Sequence, residues 1–200
     1  AARPPPQPVG DGRRRVPVST VRVVYFIDSL GGGGAEHSLA AMAPHLRAAG
    51  IDLTVGYLRA RGGVEDQLRE AGARLVSLEG VGCRMGHVLR ARKLIRAERP
   101  DLVHTTLTEA DIAGRVAARL AGVRVVSTLA NEAYGPVQQQ AFPGRLWRLR
   151  AMHAADAATA TLVHRFHAIS HHVATTMSRR LHIDPDRIDV IPRGRDRAVL

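Results

Sequence analysis

A chain of 200 residues with a single cysteine, Cys83, cannot carry an internal disulfide framework, and that scarcity fits a reducing compartment. No apolar run approaches the roughly 18 residues of a membrane span, and no hydrophobic signal core opens the chain, so a cytoplasmic domain is expected. Aromatic residues make up only 4% of the sequence, and they do not interleave with the basic residues as a base-stacking platform requires. Clustered His, Cys or Asp at metal-ligand spacing is also missing, so neither a metal nor a resident cofactor is expected. Two phosphate signatures fail as well. Gly32 and Gly34 fit the first two places of G-x-G-x-x-G, but His37 holds the third, and Arg59 and Arg61 stand where a ribose-binding acid would follow the second strand. Ala35 and Glu36 occupy the places where a Walker loop needs lysine and a hydroxyl.

What is present is arginine. The formal charge is +11, and Lys93 is the only lysine among 29 basic residues. The arginines are spread over the tail, nearly every helix and the C-terminus, so nucleic acid is not the expected partner; attraction to phosphorylated substrates or anionic lipid uses the charge more economically. Residues 1–19 are rich in Pro, Gly and Arg without periodicity and are expected to be a disordered tail. Over the whole chain, 45% hydrophobic content suffices for one sizeable core.

That core is organised around VRVVYFIDSLGGGGAEHSLAAMAPHL, residues 21–46. Val21, Val23, Val24, Phe26 and Ile27 read as a strand buried on both faces. After the glycines, Leu39, Met42, Ala43 and Leu46 recur at helical spacing. The glycines leave backbone N–H groups bare at the positive end of that helix, where a phosphate can sit. The competing reading is a turn that needs glycine for positive φ. Glu36 falls in the first helical turn, where a carboxylate complements the macrodipole.

The alternation continues. Strands are expected at Ile51 to Leu58, Arg74 to Leu78, Asp101 to Thr105, Val123 to Leu129, Phe166 to Ile169 and Arg187 to Ile191. Helices are expected at Val64 to Ala71, Gly86 to Glu98, Glu109 to Leu120, Arg145 to Leu162 and Ser170 to Leu181, the last capped by Ser170. Such regular β/α alternation predicts a doubly wound, Rossmann-like parallel sheet of about seven strands with right-handed crossovers. Ligands of such sheets bind at the carboxyl ends of the strands. Polar residues collect there: Asp28, His104 to Glu109, Asn131, Glu132 and Tyr134, and Ser170 with His171. A lone histidine is more often structural, and His104 stands out among ten only by its position.

Three segments carry a family resemblance: GGGGAEHSLAAMAPHLRAAGIDLTVGYL, RPDLVHTTLTEADIAGRVAARLAGVRVVST, and FHAIS followed by IDVIPRGRD. In order and spacing they resemble the N-terminal half of GT-B retaining glycosyltransferases of family 4, over about residues 21 to 197. The resemblance implies one half of a GT-B architecture, residues 20–197. It also implies transfer of a sugar from a nucleotide-activated donor to an acceptor with retention, with the nucleotide sugar as substrate rather than cofactor. It assigns Gly32, Gly33, Gly34 and Arg193 to the donor phosphate. His104, Thr106, Glu109, Asn131, Glu132 and Tyr134 fall on the acceptor side. The paired-glutamate domain that completes the site in the family is expected beyond this chain, so the domain alone should be inactive.

Two positions depart from the family pattern. Ala130 stands where many members have a histidine, so no catalytic residue is assigned, and Arg193 replaces the common asparagine. A sugar-nucleotide epimerase half and a non-catalytic α/β binding module remain as alternatives. The acceptor is unidentified, with lipid-linked and glycan types both open. Leu146, Trp147 and Leu149, set among Arg145, Arg148 and Arg150, read either as a core-facing helix with solvated arginines, which is preferred, or as a contact with the inner membrane face.

Overall fold

The computed structural model describes residues 20–80, 84–135, 138, 140 and 146–194. The tail expected to be disordered and Cys83 lie outside the described residues, as does most of the segment between 136 and 145. Strand β1, Val21–Ser29, is the centre of the sheet because its side chains are apolar on both faces. It pairs in parallel with β2, Ile51–Arg59, on one side and with β4, Leu102–Thr106, on the other. Strands β3 (Arg74–Ser77), β5 (Val125–Leu129), β6 (Arg165–Ala168) and β7 (Ile188–Val190) complete a sheet of order β3-β2-β1-β4-β5-β6-β7, every pair parallel. The expected doubly wound sheet of about seven strands is therefore what the chain builds. Its direction of growth reverses between β1 and β4.

The helices divide accordingly. Helix α1 (Gly34–Ala48) and α2 (Glu65–Glu70) pack on the face carrying Val23, Tyr25 and Ile27. Helices α3 (Arg84–Glu98), α4 (Thr108–Ala121), α5 (Leu146–Ala160) and α6 (His171–Leu181) pack on the face carrying Val24, Phe26, Val103 and Phe166. Element boundaries move by at most two residues from expectation. The end signals hold: Gly122 takes the left-handed conformation that stops α4, and the Ser170 hydroxyl accepts from Val173 N at 3.2 Å to cap α6.

Two glycines do work that no local pattern announces. A Cβ on Gly114 of α4 would lie 2.7 Å from Thr105 Cγ2 and 3.0 Å from the Phe26 ring, and one on Gly56 of β2 would lie 2.8 Å from the same ring. Helix α4 thus rests its backbone directly on β1 and β4, with Phe26 filling the space both glycines leave. In an exposed helix Gly→Ala stabilises by about 1 kcal/mol, whereas overpacking costs about 1–3 kcal/mol. We expect the second effect to win for Gly114→Ala, lowering the urea midpoint of unfolding; an increase would show that α4 can lift off the sheet freely.

Candidate functional site

The site is built at the reversal between β1 and β4, where the chain leaves both strands by tight loops. After β1 the glycines at 31–34 carry the chain into α1. None of them has positive φ, and Gly33, the residue preceding the helix, has φ −80° and ψ 164°. The turn reading is corrected on that point: positive φ is not what asks for glycine here, and at Gly33 the demand is for space. A Cβ on Gly33 would meet the Glu36 carboxylate, while Gly34 faces open space. Gly63, in the loop after β2, is held against the same backbone, its added Cβ falling 2.7 Å from Leu30 O, and Val64 N donates to that carbonyl at 3.0 Å. Glu36 is buried and accepts from the Ser29 hydroxyl at 3.1 Å. Among the described residues no side chain caps the amides that open α1.

Arg193 reaches this loop from the far end of the chain and donates to Gly34 O at 2.8 Å. The four residues assigned to the donor phosphate are therefore neighbours in space. Behind α1 lies a cavity of about 690 Å³ whose wall includes Tyr25, Ser38, Thr128, His167 and Arg193.

The start of α4 is treated in the opposite way. Asp28, the last inward residue of β1 on that face, accepts from Ala110 N at 2.7 Å and so fills the helix terminus with a carboxylate. Arg59 from β2 spans the strand ends, 2.6 Å from Glu109 and 3.4 Å from Asp28. Burial pushes the Asp28 carboxyl up to about 6, with Glu109 adding to the effect and Ala110 N and Arg59 opposing it. Leu107, between β4 and α4, takes φ +74°, a costly conformation for a bulky residue at the point where the sheet reverses.

The residues expected on the acceptor side are not all at strand ends. His104 lies within β4, its Nε2 2.7 Å from Thr128 Oγ1 and its ring 4.5 Å from that of Tyr25. His167 Nε2 must donate to Ile191 O at 2.8 Å, so Thr128 donates to His167 Nδ1 and His104 donates to Thr128. Burial, with a smaller contribution from His167, lowers His104 to about 3, leaving a neutral ring. Thr106 is buried and bonded to the Tyr25 hydroxyl at 2.6 Å. Tyr134 turns inward at φ +65°, its hydroxyl donating to Asp156 at 2.8 Å and its ring stacked on His153. Glu132 and Asn131 are exposed; Glu132 pairs with His172 and lies 3.7 Å from Arg180, both on α6. Only Glu109 joins Asp28 and Arg59 beside the glycine loop.

Beneath these loops is a charged centre that the sequence reading missed. Arg115 on α4 has no solvent exposure; it pairs with Asp156 at 2.6 Å and Asp111 at 3.4 Å, and donates to Ser127 Oγ at 2.9 Å. Thr105 bonds both Asp111 and Ser127, and burial holds the Asp111 carboxyl above the usual range against the pull of Arg115. In sequence Arg115 looked like one more solvated arginine. The only signal was its place on the alanine-rich face of α4, among Ala113, Gly114, Ala117 and Ala118.

Helix α5 faces the core, as the preferred reading has it, through Leu149 and Ala160, while its first turn also presents apolar side chains outward. Leu149 is buried, but Trp147 is 66% exposed and Leu146 44% exposed. Among the described residues no helix is long and apolar enough to cross a membrane, and no group of three or more His, Cys, Asp or Glu is placed to hold a metal.

With this geometry in view, comparison with known proteins is informative. A sequence profile of Glycosyltransferase Family 4 matches residues 32–199. The chain belongs to that family. It is also similar to an Escherichia coli UDP-Gal:alpha-D-GlcNAc-diphosphoundecaprenol alpha-1,3-galactosyltransferase, 31% identical over 113 residues, or 56% of this chain and 28% of the relative. The fold is shared with Anabaena HepE, solved with UDP and glucose, at a TM-score of 0.70 and 18% identity over 88% of this chain and 45% of HepE. A UDP-GlcNAc 2-epimerase from Neisseria meningitidis has a TM-score of 0.57 at 15% identity, covering 86% of this chain and 46% of its own. That likeness is of fold alone. The family profile and the galactosyltransferase relative support the transferase over the epimerase half. This family 4 chain spans about half the length of the solved structures that it matches, and less of the curated relative.

Two outcomes follow from the charges. Arg115→Met leaves Asp111 and Asp156 buried without a cation and is expected to cost about 3–5 kcal/mol in urea unfolding, part of it recovered by adding Asp156→Asn. Asp28 holds its proton more tightly folded than unfolded, so its contribution is complete below about pH 4 and is lost as pH rises through about 6. Asp28→Asn should remove that loss, so the stability difference between variant and wild type should grow by on the order of 3 kcal/mol from pH 4 to 7. A constant difference would contradict the assignment.

Proposed function

We propose that this chain is the acceptor-side half of a retaining hexosyltransferase that uses a uridine diphosphate sugar. The observation that carries the reading is the opening of α1: amides that no side chain caps among the described residues, at the reversal of the sheet, with Arg193 docked on Gly34 O. An uncapped helix terminus beside a fixed guanidinium suits a diphosphate whose charge grows as the sugar departs. The donor class is supported by the relatives, which are named for UDP-Gal or were solved with UDP and glucose. Gly32, Gly33 and Gly34 would approach the diphosphate closely, and Arg193 would hold both the loop and one phosphate oxygen.

In this reading a second domain following the chain supplies the nucleotide contacts and further cations. The carboxylates nearest the donor loop on that side, Asp28 and Glu109, are engaged by Ala110 N and Arg59, so neither is assigned as a nucleophile. Their work is to hold the acceptor end of the crevice. His104 stays neutral and hydrogen-bonded within the sheet, so its contribution is to shape the wall behind α1. Attachment at the inner membrane face through Trp147 and its neighbouring arginines belongs to the same proposal.

The test uses the full-length enzyme with UDP-galactose and UDP-glucose, following UDP release. Gly33→Val should abolish turnover, because its side chain meets Glu36 and covers the amides. Arg193→Ala should lower kcat/KM for the donor by about 100-fold, the usual effect of losing one such donor. Residues 1–200 alone should show no turnover. Wild-type rates in Gly33→Val, or turnover by the isolated half, would overturn the assignment.

A further inference from the structure

Between α3 and α4, on the face of the sheet opposite α1, is a cavity of about 210 Å³. Its walls are Met85 and Val88 from α3 and Ile112, Ala113 and Val116 from α4. Apolar surface continues out of it, since Met85 is 59% exposed and Leu89, one turn further along α3, 57% exposed. A row of large apolar side chains facing water beside an apolar cavity is costly unless something covers it. At the mouth stand His87 and Glu109. Burial first, then the charge of Arg90, holds His87 below its usual range, so it presents a neutral ring.

Glu109 makes the cavity more than a packing defect, because it also belongs to the Arg59–Asp28 cluster at the strand ends. Glu109 therefore borders both the charged groups at the strand ends and the hydrocarbon-lined slot, and joins the two. The slot is smaller than the ~300–1,000 Å³ of pockets that enclose a whole ligand. It fits an appendage.

From this continuity we infer that the α3–α4 cleft receives the hydrocarbon chain of an amphipathic acceptor whose sugar head rests on Asp28, Arg59 and Glu109. The inference rests on the transferase reading and names the class of acceptor. The arrangement matches such a molecule along its length: carboxylates and a guanidinium for hydroxyls or phosphate, an uncharged imidazole at the joint, then aliphatic side chains. It also places the head one loop from the donor phosphate site, because Asp28 is followed directly by Ser29, Leu30 and the glycines. The hydrophobic drive of the chain would then fix the position of the reacting head.

The probes are octyl and methyl N-acetyl-α-D-glucosaminide, the octyl compound below its micelle concentration, titrated into the full-length enzyme with Met85 and Ile112 methyl signals followed by NMR. The octyl glycoside should bind at least tenfold more tightly than the methyl glycoside and shift both methyl signals. Ile112→Asp should erase that gain while UDP affinity stays at the wild-type value. Met85→Ser, at an exposed position that does not threaten folding, should reduce it severalfold. Equal binding of the two glycosides, or a gain that survives Ile112→Asp in a folded protein, would overturn the assignment. So would loss of sedimentation with phosphatidylglycerol vesicles in Ile112→Asp without any preference between the glycosides, since the cleft would then serve a lipid surface. Absence of UDP binding and turnover in the wild type would instead remove the transferase reading itself.

Discussion

A guanidinium with no access to water needs charged and hydrogen-bonding partners around it before the loops above it can be placed. Arg115 imposes that condition on this fold. Its partners come from α4 itself, from β5 through Ser127 and from α5 through Asp156, and the second oxygen of Asp156 is taken by the Tyr134 hydroxyl. The loop leaving β5 is thereby tied to the helix that leaves β4. Arg180 adds a second tie, donating to Ala133 O at 2.6 Å from α6. Removing one partner would leave an unpaired charge in a low-dielectric interior, so the network holds as a unit or is lost as one.

The two helices that start at the sheet reversal are a matched contrast. Helix α4 has its terminus filled by Asp28, a residue of the neighbouring strand, and so has no vacancy for an external anion. Helix α1 is left open, its own Glu36 turned to Ser29 and Gly33 rather than to the terminal amides. One end is filled by a carboxylate and the other is not. The difference comes from side-chain length and placement, since both helices carry an acid in the first turn.

The sheet was legible because its strands are runs of Val, Ile and Leu and its helices repeat every three to four residues. The meeting of Arg193 with the glycine loop was legible through the family pattern. What escaped was whatever depends on a partner distant in sequence. Gly56 and Gly114 owe their identity to Phe26, and Gly63 to the backbone at Leu30; nothing beside them in sequence says so. His104 and Thr106 sit near a strand end, but alternation along β4 turns both toward Tyr25 and Thr128 within the sheet. Tyr134 was read as a site residue from its loop position, yet a positive φ swings it into the interior. Trp147 lies on the outward side of α5 because Leu149 takes the inward one.

The central strand has neighbours of very different age. Its pairing with β2 joins segments about thirty residues apart, whereas Val23 faces Leu102 across its other edge. During synthesis β1, β2 and β3 can assemble with α1 and α2 while that second edge still shows its row of N–H and C=O groups, and while Val24 and Phe26 lie uncovered. Until β4 emerges, the strand that ends at the centre of the sheet is an edge strand. A nascent chain paused between β3 and β4 would offer that edge to strands of its neighbours, so swift passage through α3 protects the protein from aggregation before any function exists.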